Sequence, residues 1–319
     1  MFLGTVYTLL GWLLPPGPAL VFPIWIAPVL AGSAAVMAVL VGRLTREPWP
    51  VALGRVTLRR VVTTALTLIA TALFLRAFMA WKAALPRWHP YTYDAQLATL
   101  GAALHGGDAW HRLPAWLPLY DGVYVAWFPV VALLVTWMAW RGDTRYAVAF
   151  TLTWVLLGTV LPLLLPAAGP IFFQEVTGSD RFTPLTARLA GAPLSQLARE
   201  AMWSRYAAGV PSSISAFPSL HIAVLWLGTL AAWRVSRPAA VALAGYTVLV
   251  LIASVGLGWH YALDGYASLL LVPLIWWVSG RLLGSKPRNR GRGRLAYKKT
   301  AATEVAAVND TVREAHPSD

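Results

Sequence analysis

The residues of this chain with the clearest capacity for chemistry are two histidines and an aspartate. His260 and Asp264 stand four positions apart. On a helix, positions i and i+4 share a face, so the carboxylate can accept the imidazole N–H. That pairing fixes the tautomer, leaves the other ring nitrogen free as nucleophile or base, and stabilises positive charge on the ring. A second histidine, His221, follows Pro218-Ser219-Leu220. A second imidazole nearby could carry a proton for whatever that nitrogen attacks or deprotonates. Each residue also has a plainer reading. A histidine at the end of a membrane span is often an interfacial residue, and an aspartate can cap a helix or bind an ion. Two histidines and one carboxylate could also hold a metal. The case for catalysis rests on their coincidence.

The elements that must position them follow from composition. Apolar residues make up 58% of the 319 and charged residues 12%, about half the charge of a soluble domain. The apolar residues fall in long runs, and roughly 20 in a row span a bilayer. Seven segments qualify or nearly so: 19–42, 61–81, 120–140, 146–165, 218–235, 240–258 and 261–283. The expected fold is therefore all-α, a polytopic membrane helical bundle of about seven transmembrane helices. Residues 1–14 are too short to span and end in Pro15-Pro16. Without a basic leader or a clean small-residue cleavage site they read as an interfacial or re-entrant helix. With no cysteine, disulfide, thiol nucleophile and thiolate metal site are excluded.

The net charge of +13 resembles a nucleic-acid signal, but its distribution favours an orientation signal. Arg43, Arg46, Arg55, Arg59 and Arg60 lie in one short connection, Arg141 and Arg145 in a second, Arg234 and Arg237 in a third, and nine basic residues follow from Arg281. These regions alternate correctly with seven spans, so all can be cytoplasmic under the positive-inside rule. The C-terminus is then cytoplasmic, and the other side receives two long loops, 82–119 and 166–217. His221 and His260 both fall at outer span starts, level with Asp264, beside the second loop. A loop of about fifty residues is more often functional than a mere connection. Within the first loop, Tyr93–Leu104 is apolar at helical spacing and predicts a helix lying flat on the membrane. The basic run Lys286–Arg294 suits anionic lipid headgroups, and 295–319 lacks any apolar period and reads as disordered. Three regions result: 1–60, an interfacial segment, an extra span and a basic loop; 61–283, the catalytic membrane domain; and 284–319, the tail.

The texture around the histidines adds a resemblance. Phe217-Pro-Ser-Leu-His221, followed thirty-nine residues later by His260 within Trp259-His-Tyr-Ala-Leu-Asp264, resembles the type 2 phosphatidic acid phosphatase superfamily over residues 60–283. That resemblance implies a six-helix core and an enzyme acting on phosphate esters of lipids without a metal or other cofactor. It implies that His260 attacks phosphorus, Asp264 orients it, His221 protonates the leaving oxygen and Ser219 contacts the phosphate. The phosphatase branch has glycine where Leu220 stands, arginine where Ser254 stands, and an upstream lysine–arginine–proline motif not found here. Ile214–His221, preceded by Ala167-Ala-Gly-Pro170, looks most like the inositol phosphotransferase-like branch, which includes inositol phosphorylceramide synthase.

The resulting expectation is a lipid phosphotransferase of the bacterial cytoplasmic membrane, its active site on the outer side. It would pass a phosphate-linked head group from a phospholipid donor to a lipid or glycolipid hydroxyl. A phosphatase shares the first half-reaction and differs in using water. A transporter would show paired helix breaks in two halves, and a serine protease a Gly-x-Ser-x-Gly elbow; neither pattern is present. With the family's arginines missing, Arg76, Arg181 and Arg205 are the candidates to neutralise the phosphate. Arg76 leads because a near-membrane arginine needs an anionic partner or a snorkelling route.

Overall fold

The computed structural model describes residues 58–210 and 212–284. The interfacial segment 1–14, the first expected span at 19–42 and the tail beyond 284 lie outside the described residues. The chain divides into two units, 1–279 and 280–319; of the second, only 280–284 are described, and they carry the end of the last helix. Among the described residues 80% are helical and none is in a strand, so the class is all-α.

The first helix, α1 (Leu58–Trp88), overruns the expected span at both ends. It begins in the basic connection and takes in Lys82 and Arg87, which hydropathy alone puts in the outer loop. Pro86 lies inside its last turn, and the chain leaves the helix two residues later, before Pro90. Helix α2 (Asp94–His105) is the piece expected from apolar spacing at 93–104. The next membrane-length segment, Leu117–Arg141, is two helices meeting at Ala126, α3 (Leu117–Val125) and α4 (Trp127–Arg141). Asp143 then caps α5 (Thr144–Val155), accepting from the Tyr146 N–H at 3.0 Å. A π-turn over 156–160 carries α5 into the short α6 (Leu161–Leu164). The residues 166–217 are not an open loop. They hold α7 (Phe173–Thr177), α8 (Thr183–Thr186), several 3-10 turns and the 15-residue α9 (Pro193–Ala207). Three membrane helices close the bundle: α10 (Leu220–Trp233), α11 (Arg237–Gly256) and α12 (Ala262–Leu282).

Five described segments are long and apolar enough to cross a membrane: Arg59–Pro86, Leu117–Arg141, Thr144–Leu164, Arg237–Gly256 and Ala262–Leu282. The sixth, α10, is apolar but has only 14 residues, about 21 Å at 1.5 Å per residue. It is shorter than the 218–235 expected because Pro218 and Ser219 belong to the loop that precedes it. Most of its surface is inside the protein: Ile222, Ala223, Val224, Leu225 and Leu227 are fully buried. At Gly228 a Cβ would come within 2.2 Å of Leu134 on α4, so a small residue there sets how closely the two helices approach. By contrast, Leu66, Ile69, Leu270 and Leu274 stand outward, each more than half exposed. Apolar side chains facing out along whole helices need lipid, not water, around them.

Arginines gather at the bundle end away from the histidines. Arg60 bonds the Trp140 carbonyl and stacks on its ring, Arg145 does the same to Trp276, Arg237 lies over Trp233, and Arg234 pairs with Asp143. Arginine with tryptophan is the composition of a headgroup-level belt.

Candidate active site

The site is built where three helix ends and one loop meet. His260 precedes α12 and does not lie on it, because the backbone between Gly256 and Ala262 is a turn. The helical i,i+4 argument therefore gives the right pair through the wrong geometry. Asp264 sits in the first turn of α12 and its Oδ2 reaches back, accepting from the Tyr261 N–H at 2.9 Å. The same oxygen lies 3.2 Å from His260 Nδ1. Nδ1 is closer still, at 2.8 Å, to the Ala216 carbonyl oxygen. Both neighbours are acceptors, so Nδ1 carries the hydrogen and Nε2 is left with its lone pair.

His221 occupies the first turn of α10. Its Nδ1 is 3.1 Å from the Tyr124 hydroxyl, and the two rings stack with centroids 4.5 Å apart. Its backbone carbonyl accepts from the Trp127 indole at 3.0 Å. The rings of His221 and His260 are 5.8 Å apart, edge to face. Ser219 stands two residues before His221: its N–H donates to the Asp264 carbonyl at 3.1 Å, and its own carbonyl accepts from the Ser268 hydroxyl at 2.8 Å. Thus the ends of α10 and α12 are tied by backbone bonds, not by packing alone. The Ser219 hydroxyl is fully buried and unpartnered, as is Asp264 Oδ1.

Two carboxylates that sequence reasoning did not single out hold this arrangement. Asp94, on α2, accepts from the Ala168 and Gly169 N–H groups and from the Tyr261 hydroxyl, each at 2.8 Å. It anchors the Ala167-Ala-Gly-Pro170 loop, which in turn receives the Ala216 N–H on the Ala167 carbonyl and bonds Ile171 N–H to Gly258. Burial raises the Asp94 carboxyl above its ordinary range, while the three hydrogen bonds pull it back down. The Tyr261 hydroxyl is pushed up by burial and then by Asp94, so it stays a donor. Gly169 has φ +101°, and a Cβ there would stand 2.8 Å from the Trp259 carbonyl oxygen; no other residue fits so close to the histidine's neighbour. Asp121, on α3, accepts from Leu194 N–H, Ser195 N–H and the Ser195 hydroxyl at the start of α9, and that hydroxyl accepts from the Trp259 indole at 3.1 Å.

The candidate phosphate cations separate. Arg181 forms a fork on Asp108, at 2.7 and 3.1 Å, and also bonds the Ala98 carbonyl; that pairing, ahead of the opposing burial, raises its guanidinium above the usual range. It is thereby held by Asp108, within electrostatic reach of Tyr261. Arg76 and Arg205 are half-buried on α1 and α9, and both have other interactions within the protein. Lys82, half-buried near the outer end of α1, lies within electrostatic reach of His221. It forms no hydrogen bond or ion pair among the described residues. The signal available in sequence was its place: the only lysine before residue 286, at the end of a span. Among the described residues no three His, Asp or Glu side chains gather as a metal-ligand set.

The described residues thus form a helical bundle with lipid-facing sides, carrying a paired His–Asp and a second histidine at one end. A family model described as PAP2 superfamily matches residues 110–278. The match takes in more than half of the chain and every helix from α3 to α11, so this protein belongs to the PAP2 superfamily and acts on phosphate esters. Helices α1 and α2, with Lys82 and Asp94, lie outside the matched residues. No curated protein and no solved structure matches the chain significantly.

Proposed function

We propose that the protein is a lipid phosphotransferase: it moves a phosphate-linked head group, inositol phosphate in the nearest branch by motif, from a phospholipid to a lipid or glycolipid hydroxyl. His260 Nε2 attacks phosphorus, and the bond from phosphorus to the donor's leaving oxygen breaks as His221 gives that oxygen a proton. The acceptor hydroxyl then attacks the phosphohistidine, its proton passing to His221, and the phosphorus–nitrogen bond breaks. Asp264 balances the charge on the His260 ring. Ser219 donates one hydrogen bond to a phosphate oxygen, and Lys82 supplies the positive charge that the phosphatase branch draws from arginine. The site works on the outer side, with the arginine–tryptophan end of the bundle cytoplasmic and the basic tail at anionic headgroups.

The observation that carries the reading is the double restraint on His260 Nδ1, by Ala216 and Asp264, with the ring edge set against His221. That is the geometry of an imidazole prepared to use its other nitrogen. Transfer over hydrolysis is favoured at Ser254. In place of the phosphatase arginine stands a fully buried serine whose hydroxyl turns inward to the Leu251 carbonyl. The test is to incubate the purified full chain with phospholipids carrying labelled head groups, with and without a lipid alcohol, and resolve the products by mass. Transfer requires a new phosphorylated lipid that appears only with the alcohol. Free phosphorylated head group at the same rate in both reactions identifies a phosphatase instead.

A further inference from the structure

The two histidines of the site are held by partners of different kinds. His260 Nδ1 faces two acceptors, the Ala216 carbonyl and the Asp264 carboxylate, so its tautomer is fixed. His221 Nδ1 faces the Tyr124 hydroxyl at 3.1 Å, and a hydroxyl can donate or accept. Tyr124 is buried and stands in the last turn of α3, two residues before the break at Ala126. Trp127, the first residue of α4, donates its indole N–H to the His221 backbone carbonyl at 3.0 Å. The two side chains flanking the break thus meet one histidine, the first at its ring and the second at its backbone. The Tyr124 ring stacks on the imidazole with centroids 4.5 Å apart. It also runs parallel to Trp259, the residue before His260, at 6.1 Å. Among the described residues the other titratable groups acting on His221 are His260, its ring 5.8 Å away, and Lys82.

A proton carrier has a different requirement from a nucleophile. It gives up a proton in one half-reaction and takes one back in the next, so neither form of its ring can be trapped. A carboxylate beside the ring would favour the charged form, and a carbonyl would bond it only through an N–H. A neutral hydroxyl bonds every form. With both nitrogens protonated, Nδ1–H donates to the tyrosine oxygen. When the Nε2 proton has passed to the leaving oxygen, Nδ1–H still donates, and the Nε2 lone pair is ready for the proton of the acceptor hydroxyl. In the other neutral tautomer the tyrosine O–H donates to the bare Nδ1. We propose that Tyr124 is the positioning residue of His221: its hydroxyl occupies Nδ1 in all three states, so that the proton enters and leaves through Nε2, while its ring sets the plane of the imidazole. The inference rests on the acid–base role given to His221 above and adds the group that makes that role reversible.

The experiment compares two inositol-phosphate diesters on the full chain, one with diacylglycerol as its leaving group and one with p-nitrophenol. Nitrophenolate leaves without a proton, so acid assistance matters for the first ester and hardly for the second. Tyr124→Phe keeps the ring and removes the hydroxyl. It should lower kcat/KM about tenfold for the diacylglycerol ester, the worth of a hydrogen bond to a charged ring, and less than about twofold for the nitrophenyl ester. Trp127→Phe, which removes the bond to the backbone carbonyl, should lower both by the same factor. Equal losses on the two esters in Tyr124→Phe would reduce Tyr124 to packing and overturn the proposal. His221→Ala separates that failure from failure of the reading beneath it. A selective loss in His221→Ala with none in Tyr124→Phe sinks the role of Tyr124 alone, whereas equal losses in His221→Ala sink the acid role of His221 and the proposal with it. Should Tyr124→Phe not fold, or neither ester turn over, fluorotyrosine placed at position 124 gives a second measurement, read in 15N spectra of the histidine rings. Its oxygen is a poorer acceptor, so the His221 Nδ1 resonance should shift more than either ring nitrogen of His260; no such shift overturns the proposal.

Discussion

In the proposed mechanism His260 reaches phosphorus through Nε2, because its other nitrogen is spent on Ala216 and Asp264. The two restraints are unequal. The carbonyl at 2.8 Å fixes the ring's direction and tautomer, while the carboxylate at 3.2 Å supplies the charge that a phosphorylated ring needs. His260→Ala should therefore lower turnover by on the order of 10³–10⁴-fold. Asp264→Asn should do nearly the same with the ring still in place, checked by initial rates on a labelled phospholipid. Lys82→Met tests the phosphate cation: a fall of about 10²-fold is expected for removing one strong electrostatic contact to the developing charge. Arg181→Met should leave that rate closer to wild type and instead lower the melting temperature, because it releases Asp108. If Arg181→Met were the more damaging to kcat at equal stability, the assignment of the cation would be reversed. Requiring one neutral and one protonated histidine also makes the rate rise and then fall with pH.

At the scale of elements, the site stands on contacts between distant parts of the chain. α2 lies some 165 residues before Tyr261, yet Asp94 fixes that tyrosine and the 166–170 loop together. Asp94→Ala leaves two backbone N–H groups and a hydroxyl buried without an acceptor. A loss of roughly 3 kcal/mol is expected from orphaned groups at about 1–3 kcal/mol each, read by thermal unfolding in detergent. Gly169→Ala should cost roughly 1–3 kcal/mol in backbone strain alone and lower kcat further by displacing Trp259. Such elements also mark where sequence reading stops. The membrane segment Leu117–Arg141, though not its break at Ala126, and the helices α11 and α12 were legible to within a few residues, because a long apolar run has one outcome in lipid. So was α2, by its spacing. The folded content of 166–217 was not, since its short helices and 3-10 turns have no period and are held by tertiary bonds. The pairing of His260 with Asp264, and His221 beside them, were legible by type and spacing; Asp94 and Asp121 were not, because their partners lie up to 167 positions away and no local pattern encodes the meeting. The engagement of Arg181 was hidden for the same reason: its partner Asp108 sits in the other outer loop.

The described residues carry the histidines at one end of the bundle and an arginine–tryptophan belt at the other, and the proposed orientation puts the histidines on the outer side. The chain has no cysteine, so single introduced thiols report cleanly. Ser179→Cys should react with a membrane-impermeant maleimide added to intact cells, and Ser236→Cys only after the membrane is opened; the reverse pattern would turn the molecule over. The proposed mechanism turns on one event, the covalent capture of phosphate on a histidine, and that event is open to direct observation. Full-length protein reconstituted in vesicles is mixed with a phospholipid carrying labelled phosphorus, quenched in alkali within milliseconds to seconds, digested and mapped. The account predicts an acid-labile label on the peptide containing His260, absent in His260→Ala and discharged by adding a lipid alcohol. Label on Ser219, or steady turnover through a ternary complex with no labelled protein at any time, would contradict it.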